Sequence, residues 1–201
     1  MKRKNTKQRV SGENWIRRNY REVFSFMKES KNYFWTIIIL LVISSLVGFF
    51  FPIFFIEQIK QIILSLVERT AGLSGINLIW FIFSNNLGTS FFGMLLGVFF
   101  GIFPIVVIIF NGYVLGFVAR LAVEQEGVLI LWRLLPHGIF EIPAVIISLG
   151  VGLRLGLFVF TKNKVGFWKF FLSCLKVFLF VILPLLIIAA IIEGSLIFLM
   201  K

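Results

Sequence analysis

The sequence contains no aspartate, one cysteine and one histidine, and only 14% of its 201 residues carry charge. Each shortage removes a class of protein. A soluble domain is about a quarter charged, and a chain this short leaves much of its surface in water. With 59% hydrophobic residues, 26 Phe and a mean hydropathy of +1.00, an aqueous fold has nowhere to put its apolar side chains. Soluble, disordered and disulfide-scaffold classes are excluded. The lone Cys174 lies in an apolar run, where neither a disulfide nor a cysteine-based metal site is open to it. One His and no Asp leave too few ligands for a zinc hydrolase, which ordinarily takes three. No nucleophile motif accompanies the His, and every glycine run falls in a hydrophobic segment rather than a phosphate-cradling loop. No catalytic, cofactor or metal residues are assigned, and the chain is read as a non-enzymatic integral membrane protein.

What charge there is, is uneven. Twenty basic residues face nine acidic ones, all Glu, for a net charge of +11. Residues 1–33 hold ten of the Lys/Arg and three of the Glu. A basic tail before a hydrophobic segment points to cytoplasmic retention and anionic lipid headgroups, and not to nucleic acid. Within it, Trp15, Ile16, Tyr20, Val23, Phe24 and Met27 form one helical stripe, with Arg17, Arg18, Arg21, Glu22 and Lys28 opposite. Such a helix lies in the membrane interface or docks on the protein's own cytoplasmic face.

Spans follow from length, since about 20 apolar residues cross the hydrocarbon. The first apolar segment, Phe34–Ile56, is too long and too late for a cleaved leader. Ile59, Ile62, Ile63, Leu66 and Val67 then repeat at helical spacing among Glu57, Lys60, Glu68 and Arg69, which predicts a second amphipathic interfacial helix. Residues 76–122 are long enough for two crossings; Gly101 and Pro104 mark the break, giving Leu78–Phe103 and Ile105–Leu121. A fourth span covers Gly138–Phe160 and a fifth Leu172–Glu193, with a kink expected at Pro184. Lys/Arg concentrate in segments 1–33 and 161–171, whereas 57–77 and 122–137 hold only Lys60, Arg69 and Arg133. The positive-inside rule therefore places the N-terminus in the cytoplasm and the C-terminus outside. The expected fold is an all-α, multi-pass cell-membrane protein with about five transmembrane helices and two amphipathic ones. Residues 1–33 are a basic cytoplasmic segment and 34–201 the transmembrane domain.

Small residues recur four apart: Gly93, Gly97 and Gly101 in span two, Gly112 and Gly116 in span three, Gly152 and Gly156 in span four. Lipid supplies no hydrophobic drive for helix association, so close backbone approach through glycine has to. Spans two to four are expected to form a compact core, with neighbours in the same chain or in a second subunit. Polar residues inside the spans are costly and by default functional. Pro136-His137 and Glu141-Ile142-Pro143 place His137 and Glu141 on one helical face between two prolines, where a broken or kinked backbone is expected. Asn85 and Asn86 lie at similar depth, Asn111 near the middle of span three, and Arg154 three to four turns below Glu141. These residues either bind an ion, proton or headgroup, or satisfy broken backbone and pin helices together.

Taken together, Asn85-Asn86, the glycine ladder, Asn111-Gly112, Pro136-His137-Gly138 with Glu141-Ile142-Pro143-Ala144, and Gly152-Leu153-Arg154-Leu155-Gly156 resemble the stage II sporulation protein M family. The resemblance covers about residues 34–200 and leaves out the basic tail. It implies a polytopic membrane protein of five or so helices. The sporulation member of the family acts with a peptidoglycan-cleaving machine as its membrane anchor or scaffold. This chain carries no sporulation-specific feature, and that role is not transferred. The first functional reading is a non-enzymatic membrane scaffold with membrane-protein partners or a second copy of itself. The competing readings are a small ion, proton or lipid transporter built on His137 and Glu141, and a membrane-remodelling protein.

Overall fold

The computed structural model describes residues 15–73, 75–161 and 166–199, with the side chains of 132–137 and 197–199 outside the description. Most of the tail, Lys162, Lys164 and Lys201, which enter the orientation argument, lie outside the described residues. Among those described there is no strand. Eight α-helices follow one another: α1 (Trp15–Glu29), α2 (Lys31–Phe50), α3 (Ile56–Ala71), α4 (Ile76–Leu95), α5 (Ile102–Glu126), α6 (Leu135–Gly156), α7 (Phe167–Val177) and α8 (Leu183–Leu199). Five stretches are long and apolar enough to cross a membrane: Lys31–Phe50, Ile76–Val98, Ile102–Glu126, Gly138–Phe160 and Phe167–Leu196. The chain is a multi-pass helical membrane protein.

Span boundaries depart from the sequence expectation where side chains from elsewhere intervene. The first span ends at Phe50, six residues early, and Phe55 adopts a left-handed conformation at φ 55°. Pro52 disfavours helix at the residue before it, and Tyr113 of α5 holds the turn that follows. Its hydroxyl lies 3.1 Å from the carbonyls of Phe51 and Phe54, to which it donates, and accepts the Phe54 N–H at 2.9 Å. It thereby serves backbone groups that the ended helix leaves open. At the α4–α5 turn the break falls at Phe100 and Gly101, both with positive φ. Pro104 lies in the first turn of α5, where a missing amide costs nothing. Of the broken or kinked backbone expected between Pro136 and Pro143, the break is absent: α6 runs through Pro143, with Pro136 in its first turn. At Pro184 the strain is taken up upstream, where Phe178–Ile182 widen into a π-helical turn joining α7 to α8. A proline ring clashes with the carbonyl four residues before it, and residue 180 is the middle of that wide turn.

Glycine sets the packing, within this chain. In the α2–α5 pair, a Cβ on Gly112 would strike Ser44 and the Leu41 carbonyl, and one on Gly116 the Ser45 carbonyl and Phe49 amide. Gly48, which carried no expectation, lies against the Tyr113 carbonyl. In the α4–α6 pair, Gly97 faces the Gly152 backbone, Gly156 meets Gly97 and Gly101, and Gly93 receives the Leu149 side chain. Both pairs are parallel, since partner numbers rise together. Ser148 of α6 adds a buried hydrogen bond, donating its hydroxyl to the Ser90 carbonyl of α4 at 2.6 Å. Ile182, Leu186, Ala189 and Ala190 of the last span complete the core against α4 and α6.

At the other end of the molecule from α3, α1 folds back along α7. Trp15 and Tyr20 meet Phe180, Glu22 meets Lys176 and Phe26 meets Phe170, so the two helices run antiparallel. Val23 and Phe26 enter the main core with Cys174 and Val177. Of the two sites open to this helix, docking on the protein is the one its buried face occupies; Trp15, Ile16, Tyr20 and Phe24 remain exposed.

Because the added methyl itself would fall on the Gly152 carbonyl, Gly97→Ala is expected to destabilise the bundle by about 1–3 kcal/mol, the cost of overpacking. Gly88→Ala, whose Cβ meets nothing within 4 Å, is expected to be neutral. Thermal unfolding of both variants in the same detergent checks the contrast; equal melting temperatures would show that the α4–α6 seam yields freely.

Candidate functional site

The polar residues of the membrane region divide between two ends of the bundle. At the α3 end, α3, α4, α6 and α8 enclose a cavity of about 550 Å³. Its polar wall is Asn85 and Asn86 from α4, Glu141 from α6 and Glu193 from α8; Leu78, Ile82 and the Ile63/Leu66/Val67 face of α3 supply the apolar wall. The geometry follows from the direction of each helix. α4 and α6 both start at this end, so Asn85 and Glu141 stand within their first halves, while α8 finishes here and brings Glu193 up beside them. α3 covers the cavity because Ile59, fully buried against Tyr113 and Phe117, anchors its first turn. Oε2 of Glu141 and Oε2 of Glu193 are both buried.

Glu141 also borders a second, smaller cavity of about 290 Å³ between α2, α5 and α6, where Asn111 is the other polar group. Asn111 donates its side-chain N–H to the Val107 carbonyl of its own helix at 2.8 Å. Glu141 thus stands between two voids, each of which offers it an amide neighbour. His137 occupies the helical turn before Glu141; its side chain lies outside the described residues. Glu193 is the residue that sequence reasoning does not single out, because it falls at the expected end of span five. The signal was there: it is the one acid between Phe167 and Lys201, and the apolar run continues past it through Leu199.

Arg154 belongs to the other end and joins none of these groups. Its guanidinium donates to the Phe26 carbonyl at 2.9 Å and to the Ser30 hydroxyl at 2.7 Å, and pairs with Glu29 at 2.9 Å. It also lies over the Phe26 ring at 4.1 Å and near the Phe170 ring at 5.2 Å. A planar, delocalised cation suits that mixture of fork bonding and ring stacking. Arg154 is a clamp that holds α1 to the bundle, so a buried cation finds its partners in the helix before the first span. The Glu22–Lys176 pair, 2.6 Å apart, is a second fastening between α1 and α7. The hydrogen bond from Lys176, chiefly, holds the Glu22 carboxyl below its ordinary value of 4.5.

The glycines expected to set helix packing all lie at helix seams or turns, away from both cavities. Among the described residues, no three His, Cys, Asp or Glu side chains come together as metal ligands would. What the α3-end cavity offers is two carboxylates, two amides and the Thr70 hydroxyl among apolar side chains, a setting that takes a hydrogen-bond donor or a cation more readily than an anion.

Among comparisons with known proteins, the family model described as stage II sporulation protein M matches residues 37–196. No curated protein and no solved structure matches.

Arg154→Lys is expected to loosen α1 despite keeping the charge, since an ammonium cannot make the fork or the ring stack. The loss, about 2 kcal/mol from charge-assisted bonds and stacking, should appear as faster amide exchange across residues 15–29 with the spans unaffected; unchanged exchange would mean the clamp carries no load. Protonation acts on the other fastening. Because the Glu22 pKa is depressed on folding, its contribution is complete above the ordinary carboxylate value and fades as pH falls through the lower folded one. Protection of the α1 amides, taken relative to their intrinsic exchange rate at each pH, should therefore be flat from pH 5 to 8 and fall below about pH 4.5, and Glu22→Gln should remove that fall.

Proposed function

The chain belongs to the stage II sporulation protein M family, and on that footing we propose that it is a non-enzymatic membrane organiser. It sits in the cell membrane with α1 on the cytoplasmic side, a rigid bundle that presents the α3-end cavity and its α3 cover to a membrane-protein partner or a second copy of the chain. The observation that carries this reading is the closed half of the molecule. Below Glu141, the α4–α6 seam is backbone against backbone at Gly97 and Gly152. Leu149, Val151 and Leu155 are fully buried behind it, and Arg154 is spent on α1. A conduit would have to part contacts in which the helices already touch main chain to main chain. Interiors packed to this density change by switching between discrete arrangements, not by gradual yielding. Charge distribution supports the orientation. The α1 end, with α7, Arg154 and Lys31 at the start of α2, carries eight basic and two acidic side chains among the described residues. Positive charge of that kind stays on the cytoplasmic side.

The cavity itself favours a second reading, a small carrier of protons or organic cations, because Glu141 and Glu193 share one enclosure. The two readings part at the carboxylates. For the organiser, Glu141→Gln and Glu193→Gln keep shape and hydrogen bonds and are expected to cost under about 1 kcal/mol each. Reconstituted protein should then pass no more protons or monovalent cations than protein-free vesicles under an imposed gradient. Flux above that background, abolished by Glu141→Gln in a variant with an unchanged melting temperature, would overturn the organiser and put the carrier in its place. Glu141→Leu should harm either one, since it strands the amides facing it.

A further inference from the structure

One side of α4 is left uncovered by the bundle. The core side, with Leu78, Ile82, Ser90 and Gly93, is buried against α6 and α8. On the opposite side Phe81, Ser84, Gly88 and Phe92 follow one another in steps of three and four, the spacing of a helix–helix seam. Ser84 and Phe92 are exposed, and a Cβ on Gly88 would meet nothing within 4 Å. The glycines of the α2–α5 and α4–α6 seams are filled by neighbours from the same chain; Gly88 is not.

This side also carries polarity at a depth where lipid has none to match it. α4 lies in the least apolar of the five spans, and Asn85 and Gly88 straddle the middle of Ile76–Val98. At 1.5 Å per residue, Asn85 stands about 13 Å inside that span. It is exposed, on the rim of the α3-end cavity. Other exposed polar side chains of the spans turn their donors back onto their own helix: Thr89 donates to the Asn85 carbonyl at 3.0 Å, and Asn111 to the Val107 carbonyl at 2.8 Å. Among the described residues, the Asn85 carboxamide makes no such bond. An amide at that depth is costly until something pairs with it.

We infer that the outer side of α4 is the seat of a parallel dimer: Ser84 and Gly88 admit the α4 of a second copy, and Asn85 hydrogen-bonds its own counterpart. Symmetry selects this occupant. Two copies inserted with the same orientation are related by an axis along the membrane normal, and an α4 beside that axis meets its counterpart residue by residue at equal depth. A carboxamide carries both donors and an acceptor, so Asn85 completes Asn85, whereas an acyl chain has neither. Small residues one turn apart let the two backbones approach closely enough for that bond. Because Asn85 stands on the cavity rim, the same contact sets the two α3-end cavities side by side. The dimer goes beyond the organiser reading without resting on it, since a carrier needs the same cover over Asn85, and ion flux and self-association are separate readouts.

The test uses the full chain, labelled in two portions with donor and acceptor dyes at Gly72→Cys, the native Cys174 being buried. The two portions are mixed in phosphatidylcholine vesicles over a range of protein-to-lipid ratios, and energy transfer reads self-association. Transfer should rise to the plateau of a dimer. Asn85→Ala should raise the dissociation constant about tenfold, the worth of one interhelical hydrogen bond. Gly88→Leu should raise it further, and Asn85→Gln, which keeps the amide, should weaken the dimer less than Asn85→Ala does. Ile43→Ala, exposed on α2, should change nothing. Since a Cβ at Gly88 meets nothing inside the chain, Gly88→Leu should keep the melting temperature of the bundle in detergent, so that lost transfer reports the dimer and not the fold. A wild-type protein that stays monomeric at every ratio would overturn the assignment and leave α4 to a different partner. So would a dimer indifferent to either Asn85→Ala or Gly88→Leu, or one that Asn85→Gln harms as much as Asn85→Ala.

Discussion

Main-chain contact between helices is the constraint on which the rest of this molecule depends. Apolar side chains gain nothing by leaving lipid for a protein interior of the same polarity, so the spans are held by contact area and by the few polar bonds that bridge them. Glycine at 48, 112 and 116 brings α2 onto α5, and glycine at 97, 152 and 156 brings α4 onto α6. Two parallel pairs result, each too close for a Cβ, and α8 fills the remaining side with Leu186, Ala189 and Ala190. The cavity at the α3 end exists because the glycine contacts of the α4–α6 pair are confined to the other half. There α4 and α6 carry Asn85, Asn86 and Glu141 in place of small residues and remain far enough apart to enclose space.

Much of this was legible from spacing alone. Five spans, the amphipathic α3, the glycine ladder and the turn at Gly101 follow from period, length and composition, and the family resemblance rests on the same residues. What escaped was decided by partners distant in sequence. The end of α2 falls before Pro52, and the turn there is held by Tyr113, some sixty residues on, which bonds the backbone at Phe51 and Phe54. Arg154 read as part of an intramembrane cluster because its partners, Phe26, Glu29 and Ser30, lie in a helix that seemed to belong to a separate segment. The stripe on α1 fits an interfacial helix and a docked one alike; only the position of Val23 and Phe26 in the core separates them. Pro136 and Pro143 suggest a broken or kinked helix; the break does not occur, since one falls in a first turn and the helix continues through the other. Glu193 was overlooked for the plainest reason, since an acid at the edge of a hydrophobic window looks like a boundary until the helix is seen to continue.

The two ends of the bundle divide their chemistry accordingly. At one, positive charge is fixed in place by bonds to α1 and turned outward. At the other, carboxylates and amides are turned inward, beneath a helix whose own charges face away. Each end uses its polar groups in the manner that its surroundings permit: cations where water and headgroups can solvate them, and acids where amides stand beside them.

The widened turn at Phe178–Ile182 fixes more than the path around Pro184. A turn of this kind accommodates one residue more than an α-helical turn does, and each residue advances a helix by about 100°. It therefore works as a rotational offset between α7 and α8, setting the phase of everything downstream. With the offset in place, Leu186, Ala189 and Ala190 face the core and Glu193 opens on the cavity. Were the helix to regularise by losing one residue there, its last four turns would swing round together by about a quarter of a revolution. Glu193 would leave the cavity it shares with Glu141, and the small face of α8 would leave both α4 and α6. The azimuth of an entire helix, and with it the opening of both carboxylates onto one cavity, is thus encoded in a single surplus residue.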